Sequence, residues 1–258
     1  MKKIIFVITI FLMIMPVFAK EYTVQEDVVS VNLDDTWLVI TKDNYKNNSS
    51  LKDLGISEYY EKEFGKEFEN NDVYFNALKS DKGYIIYDLI ISYYEENRLK
   101  NYINYDEDFL WDDSKVLKKN FKDKYKVLDN GIFINDNTKY IWVNYYYDQH
   151  YYQYYETIVN EKTYQIYMAS GKIDKNEIEN FRKNIIDNIT FNIDSTLVED
   201  DYSNDSDNNI ITDIVHRTIF DTLRDVIIFF VPLTILSVFF KKKLDKKEKI
   251  KESDEFWE

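Results

Sequence analysis

Between Glu21 and Ile193 the spacing of hydrophobic positions switches repeatedly between the period of a strand and that of a helix, so the region is expected to alternate the two. Period two opens it: "VVSVNL" (28–33) and "TWLVITKD" (36–43) predict strands joined at Asp34 and Asp35. "SSLKDLGISEYYEKEFGKEFE" (49–69) predicts a helix, with Ser50 and Asp53 spaced as a capping box and Tyr60, Phe64 and Phe68 on one face. "VYFNALK" (73–79) and "GYIIYDLIISYYEE" (83–96) return to strand around a turn at 80–83. "DEDFLWDDSKVLKKNF" (106–121) predicts a second helix, with Leu110, Leu117 and Phe121 on one stripe and acids at its N-terminus, where the helix dipole favours them. Four strand-like segments follow: "GIFIND" (131–136), "YIWVNYYYD" (140–148), "YYQYYETIV" (151–159) and "TYQIYMAS" (163–170), the last two joined at 160–162 as a tight hairpin. "DKNEIENFRKNIIDNI" (174–189) closes the region as a helix. Asp174 and Glu177 can cap it, and Ile178, Phe181, Ile185 and Ile189 form its apolar stripe.

Hairpin strands with helices between them make an α+β domain, an antiparallel sheet flanked by helices. The segments "VNLDDTWLVIT" (31–41) and "YYETIVNEKTYQIYMASGKIDKNEIENFRKNIIDNITF" (154–191) carry a resemblance to the PsbP/Mog1-like fold, an αβα sandwich found in adaptor-like and small secreted proteins. A typical member has Pro just before the Trp of the first segment, whereas Asp35 and Thr36 precede Trp37 here. The resemblance implies a fold and no site residues, because members differ in function.

The two ends predict an address. "MKKIIFVITIFLMIMPVFAK" has Lys2 and Lys3, an apolar run from Ile4, and Val17 and Ala19 where a signal peptidase prefers small residues, the pattern of a secretory signal at 1–19. Near the other end, Val226 to Phe240 are uncharged and almost wholly apolar, and seven lysines follow within 241–251. As a helix these fifteen residues span about 22 Å against a hydrocarbon core of about 30 Å. The span can extend upstream through Ile219, Phe220 and Leu223 if Arg224 and Asp225 reach the headgroups. The lysines then hold the C-terminus in the cytoplasm. The expected organisation is a signal peptide (1–19), an extracytoplasmic α+β domain (20–194), an acidic linker (195–209), a juxtamembrane and C-terminal transmembrane helix (210–240) and a Lys-rich cytoplasmic tail (241–258). Asp201, Asp205 and Asp207 do not form an EF-hand loop, because neither register supplies the Gly and Glu that loop requires.

The chain has 258 residues, 17% of them aromatic, with only five Gly and two Pro, a bias AT-rich coding would produce. The absence of Cys excludes disulfides, thiolate nucleophiles and thiolate metal sites. From 20 to 209, 38 Asp and Glu stand against 22 Lys and Arg, a field that repels phosphate backbones and makes nucleic acid an unexpected partner.

The chemistry is sparse. His150 and His216 are the only histidines, and no Ser-His-Asp grouping, His-based metal set or glycine-rich phosphate loop is visible, so no catalytic residue and no cofactor is expected. Carboxylates could still serve a hydrolase, and Asp88 stands out because it interrupts the apolar strand "YIIYDLIISYY" (84–94), where burial would raise its pKa. The remaining feature is "NYYYDQHYYQYYE" (144–156), with seven tyrosines. One face of the strand 140–148 carries Ile141, Val143, Tyr145 and Tyr147; the other carries Tyr140, Trp142, Asn144, Tyr146 and Asp148, suited to a helix-covered layer or to an open platform for sugar rings or peptides. Tyr140, Trp142, Tyr146 and the turn residue His150 are therefore the candidate binding residues. The functions in view are a non-catalytic binding or assembly domain on a single-pass membrane protein, with an envelope protein or glycan as partner, a carboxylate-dependent hydrolase of wall glycan, and a membrane signal-relay subunit.

Overall fold

The computed structural model describes residues 20–197 apart from 26–27, 71–72, 82–83, 96–98, 136–137, 148–149, 171–181 and 183. The expected signal peptide, transmembrane helix and tail, and most of the expected closing helix, lie outside the described residues. Among the described residues no helix is long and apolar enough to cross a membrane.

The strands are β1 (Lys20–Gln25), β2 (Val29–Leu33), β3 (Trp37–Ile40), β4 (Phe75–Asp81), β5 (Tyr84–Glu95), β6 (Lys126–Ile134), β7 (Lys139–Tyr147), β8 (His150–Val159), β9 (Lys162–Ser170) and β10 (Ile189–Phe191). Seven of them form one antiparallel sheet in the order β3-β4-β5-β9-β8-β7-β6, and β1-β2-β10 form a second. The helices are α1 (Ser49–Asp53), α2 (Ser57–Tyr59), α3 (Gly65–Glu69) and α4 (Glu107–Lys122), with a π turn at Tyr60–Phe64 between α2 and α3.

Both faces of the large sheet are buried. On one, Leu51, Tyr60, Phe64, Phe68, Leu110, Leu117 and Phe121 pack from the helical side against Leu78, Ile90, Ile141, Val143, Tyr145 and Tyr154. On the other, Val29, Val31 and Leu33 of β2, with Ile185, Ile186, Ile189 and Phe191, cover Phe75, Leu89, Ile91, Tyr155, Tyr164 and Ile166. The second layer is thus partly a small sheet. The period-two pattern of β2, buried at its first, third and fifth residues, suits a strand that gives one face to a core.

The mixed antiparallel α+β architecture agrees with the sequence reading, and three local expectations change. First, β2 and β3 are consecutive but lie in different sheets. Asp34 accepts from the Thr36 amide at 2.9 Å, and its carbonyl accepts from the Trp37 amide at 3.2 Å, so the chain turns out of one layer and into the other. Second, the helix expected over 49–69 is broken. Gly55 adopts φ 72°, its amide donates to Lys52 O at 2.9 Å, and the Ile56 amide donates to Leu51 O at 2.9 Å, a Schellman stop with Leu51 and Ile56 both buried. Third, the cap is Asn48, whose Oδ1 accepts from the amides of Ser50 at 3.0 Å and Leu51 at 3.3 Å; Ser50 and Asp53 lie inside the helix. Tyr60, Phe64 and Phe68 still share one buried face, and a side chain at Gly65 would run into the Tyr45 ring.

The hairpin between β8 and β9 is tight because Asn160 and Glu161 both have positive φ, 53° and 63°, the geometry that matches strand twist. Asn101, buried, ties this turn down: its Oδ1 accepts from the Asn160 amide at 2.8 Å and its Nδ2 donates to Leu197 O at 3.2 Å. Asn160 Oδ1 accepts from the Asp194 amide at 2.8 Å. The chain therefore remains bonded to the domain through Leu197.

Candidate functional site

Strand register decides which of the tyrosines in 144–156 come together. Lys126 pairs with Tyr146, Tyr146 with Tyr151, Tyr151 with Ser170 and Ser170 with Tyr87, so these five residues form one row across β6, β7, β8, β9 and β5. Paired residues in antiparallel strands point to the same side, so the row lies on the face that β2 and β10 cover further along. Lys126 is exposed and Tyr146, Tyr151 and Tyr87 are half-buried, whereas Tyr155, Ile166 and Ile91, two rows inward, are buried. The Tyr146 and Tyr151 rings meet edge to face, centroids 5.5 Å apart at 66°.

The same-face positions of β7 therefore divide. Tyr140 is fully buried, packed on Phe133 and Phe191, and its hydroxyl pKa is raised by burial. Trp142 is half-buried and pinned: its indole Nε1 donates to Ile132 O at 3.2 Å, and its ring lies across Gly131, where a Cβ would stand 2.9 Å from Trp142 Cζ2. Tyr146 belongs to the rim. His150, also half-buried, is the first residue of β8, paired with Tyr147 and set against the Tyr152 ring. Of the four candidates, Trp142, Tyr146 and His150 occupy the half-buried part of the sheet and Tyr140 its core.

Across the sheet, the other face ends in a second tyrosine pair. Tyr147 is 45% exposed and stands edge to face with Tyr125, centroids 5.3 Å apart at 83°. Tyr125 packs in turn on Phe121 and Tyr145, and burial, reinforced by Tyr147, pushes its hydroxyl up to about 12. Sequence reading missed Tyr151, Lys126 and Tyr125, because pairing register, which period alone does not supply, places them beside Tyr146 and Tyr147.

The buried acids form two separate groups on the helical face. Asp88 is buried; Asn76 Nδ2 donates to Asp88 Oδ1 at 2.5 Å and to Leu89 O at 3.1 Å, and Tyr60 Oη donates to Asn76 Oδ1 at 2.6 Å. Burial pushes the Asp88 carboxyl up to about 7, against the lowering effect of Asn76. The Tyr60 hydroxyl is raised by burial first and by Asp88 second. In the second group Ser92, Gln165 and Glu156 share a row; Ser92 Oγ and Tyr167 Oη both donate to Gln165 Oε1 at 3.4 Å. Gln165 Nε2 donates to the Tyr154 hydroxyl at 3.0 Å, and that hydroxyl donates to Glu156. Tyr102 Oη donates to Asp113 Oδ2 at 2.5 Å, and its pKa is raised by burial, then by Asp113 and Glu156.

Register sets the distance between the groups. Asp88 shares a row with Ala169 and Tyr152, and Glu156 lies four residues further along β8. At about 3.4 Å per residue and about 4.8 Å per strand, the Cα atoms of Asp88 and Glu156 are about 17 Å apart. Paired carboxyls in glycoside hydrolysis stand about 5–9.5 Å apart, so these two acids do not make such a pair. Among the described residues no group of three His, Asp or Glu is placed to hold a metal ion.

No family model and no curated protein matches the chain. Among solved structures, the solution structure of cyanobacterial PsbP from Synechocystis sp. PCC 6803 is similar over 69% of this chain and 95% of that one, at 8% identity and a TM-score of 0.42. A crystal structure from Bacteroides thetaiotaomicron is similar over 68% of this chain, at 11% identity and a TM-score of 0.34; the chain spans 49% of that protein. A PsbP is thus among the solved structures similar to this chain, and the sequence resemblance named the same PsbP/Mog1-like fold.

Proposed function

We propose that this chain is a membrane-anchored extracytoplasmic protein whose α+β domain binds or assembles an envelope component through the tyrosine-bearing end of its large sheet, without chemistry of its own. One observation carries this reading. On a sheet whose centre is buried on both faces, the row Lys126, Tyr146, Tyr151 keeps rings half-open at the rim, beside an exposed Tyr147. Paired rings lose little freedom on association and offer apolar faces with polar tips, the composition that favours recognition. The address rests on the sequence: the apolar N-terminus with its small-residue cleavage pattern, the apolar stretch 226–240 and the lysines behind it.

The test has two arms. Protease added to intact cells should digest the domain and spare the C-terminal tail; a protected domain overturns the address. A photo-crosslinking residue at 146 or 151 should capture a defined envelope partner, and Tyr146→Ala with Tyr151→Ala should lower its recovery at least about fivefold. Equal recovery from the variant and the wild-type protein dismisses the rim.

A hydrolytic reading would have to rest on Asp113 and Glu156, the acids that both act on the Tyr102 hydroxyl. New reducing ends released from wall polymer by the wild-type protein and absent with Glu156→Gln would replace the binding reading with that one.

A further inference from the structure

The acid of this chain is not spread evenly over its surface. The formal net charge is -14, yet the segment 115–126 holds six lysines and one aspartate. Within α4 Lys115, Lys118 and Lys122 recur at helical spacing, and Lys124 and Lys126 follow in sequence, Lys126 as the first residue of β6. Lys115 is paired with Asp112 at 2.8 Å, but Lys122, Lys124 and Lys126 are exposed and form no ion pair among the described residues. The helix dipole favours lysines in the last turn, which accounts for Lys119 and Lys122 but not for Lys124 and Lys126.

These lysines end where the tyrosines end. Tyr125 sits between Lys124 and Lys126 in sequence and stands against Tyr147; Lys126 opens the row that continues through Tyr146 and Tyr151. One end of the sheet thus presents cations interleaved with two edge-to-face tyrosine pairs, one pair on each face.

We propose that this end of the sheet binds a phosphate-bearing sugar polymer, the lysines meeting phosphates and the tyrosine rings lying on sugar faces. The inference rests on the reading that the rim is a binding surface, and it names the ligand class. Charge decides between anionic partners. At physiological salt a charge is felt over about 8 Å, so a thin chain laid along Lys122, Lys124 and Lys126 feels those three lysines, with Asp123 among them, more than the acid elsewhere in the chain. A planar anionic membrane or a nucleic-acid duplex presents charge over a far wider area and would face the surrounding acid. Ring faces add what phosphate alone does not use, since the C–H surface of a sugar packs on an aromatic ring.

The experiment uses the full chain in detergent and five probes: poly(glycerol phosphate) bearing glucosyl groups, the same polymer without sugar, a neutral glucose oligomer, vesicles of equal parts phosphatidylglycerol and phosphatidylcholine, and single-stranded RNA. The glucosylated polymer should bind tightest. Replacing Lys122, Lys124 and Lys126 together by Ala should weaken it at least about tenfold and flatten the slope of log affinity against log salt by about 2, near 0.7 for each phosphate of a flexible chain that is no longer neutralised. Tyr147→Ala should weaken the glucosylated polymer and leave the bare one unchanged, and Tyr147→Phe should restore binding. Equal affinity for the two polymers overturns the role of the rings, and tighter binding of vesicles or RNA overturns the ligand class. If no polymer binds while the crosslink at 146 persists, this inference fails and the broader binding reading stands; if the crosslink also disappears, both fail.

Discussion

Asp88→Asn should stabilise this protein at neutral and alkaline pH and leave it nearly unchanged in acid. Asp88 lies on β5 with Leu78 paired on one side and Ala169 on the other, and its carboxyl accepts from Asn76 Nδ2. Burial moves its pKa from an ordinary 3.8 to about 7. A carboxyl whose folded pKa lies above its unfolded value holds a proton in the fold that the unfolded chain releases, so folding stability falls as pH rises from about 4 to about 7 and then levels off. Three pH units at about 1.4 kcal/mol each give a loss on the order of 4 kcal/mol. Asparagine has the same shape, keeps an acceptor for Asn76 Nδ2 and does not titrate. The difference between variant and wild type should therefore be near zero at pH 4, grow by about 1.4 kcal/mol per pH unit, and reach about 4 kcal/mol above pH 7. In a domain of this size that is on the order of 10 °C in melting temperature. The assay is thermal or urea unfolding of the full chain followed by tryptophan fluorescence at half-unit steps from pH 4 to 8.5. Other titrating groups shift both proteins together, so the difference isolates residue 88. Parallel curves across that range would show Asp88 ionised in the folded protein and would refute the burial argument.

Three further outcomes follow from single positions. Gly131→Ala places a Cβ 2.9 Å from the Trp142 ring and should cost about 1–3 kcal/mol with a shift in tryptophan emission, checked by urea unfolding. Asn101→Ala removes the acceptor for the Asn160 amide and the donor to Leu197 O; it should cost about 1–3 kcal/mol and speed hydrogen exchange at the Asn160 amide, while unchanged exchange would show that the turn does not need that tie. Glu161→Gly relieves a non-glycine residue at φ 63° and should leave the protein equally stable or up to about 1 kcal/mol more so, read from the midpoint of urea unfolding.

The fold was legible wherever one residue type constrained local geometry. Leu110, Leu117 and Phe121 recur at helical spacing, and all three are buried in α4. The strands β7, β8 and β9 and the turn at Asn160 stand where alternation and turn chemistry put them. The expected helix over 49–69 failed at Gly55 because a buried Schellman stop competes well with continuing a helix whose next residues must turn Tyr60 toward Asn76. The parting of β2 from β3 was not legible, since a hairpin and a crossover between layers begin with the same turn residues. Of the proposed rim, Tyr146 was named from its strand face, whereas the positions of Tyr151, Lys126 and Tyr125 beside it and Tyr147 needed the pairing register.

The sequence by itself determined the classes of residue available: no cysteine, two histidines, an acidic body with lysines gathered at 115–126, and strands rich in tyrosine. These follow from composition and period, which act within a few residues. Only the tertiary structure decided that Tyr140 is core while Tyr146 is rim, that Asp88 is enclosed with Asn76 and Tyr60, and that Lys126 of β6 meets the tyrosines of β7 and β8 at one end of the sheet. Those outcomes depend on which strands pair, in which register and under which cover, and burial and charge proximity are set by residues far away in the chain.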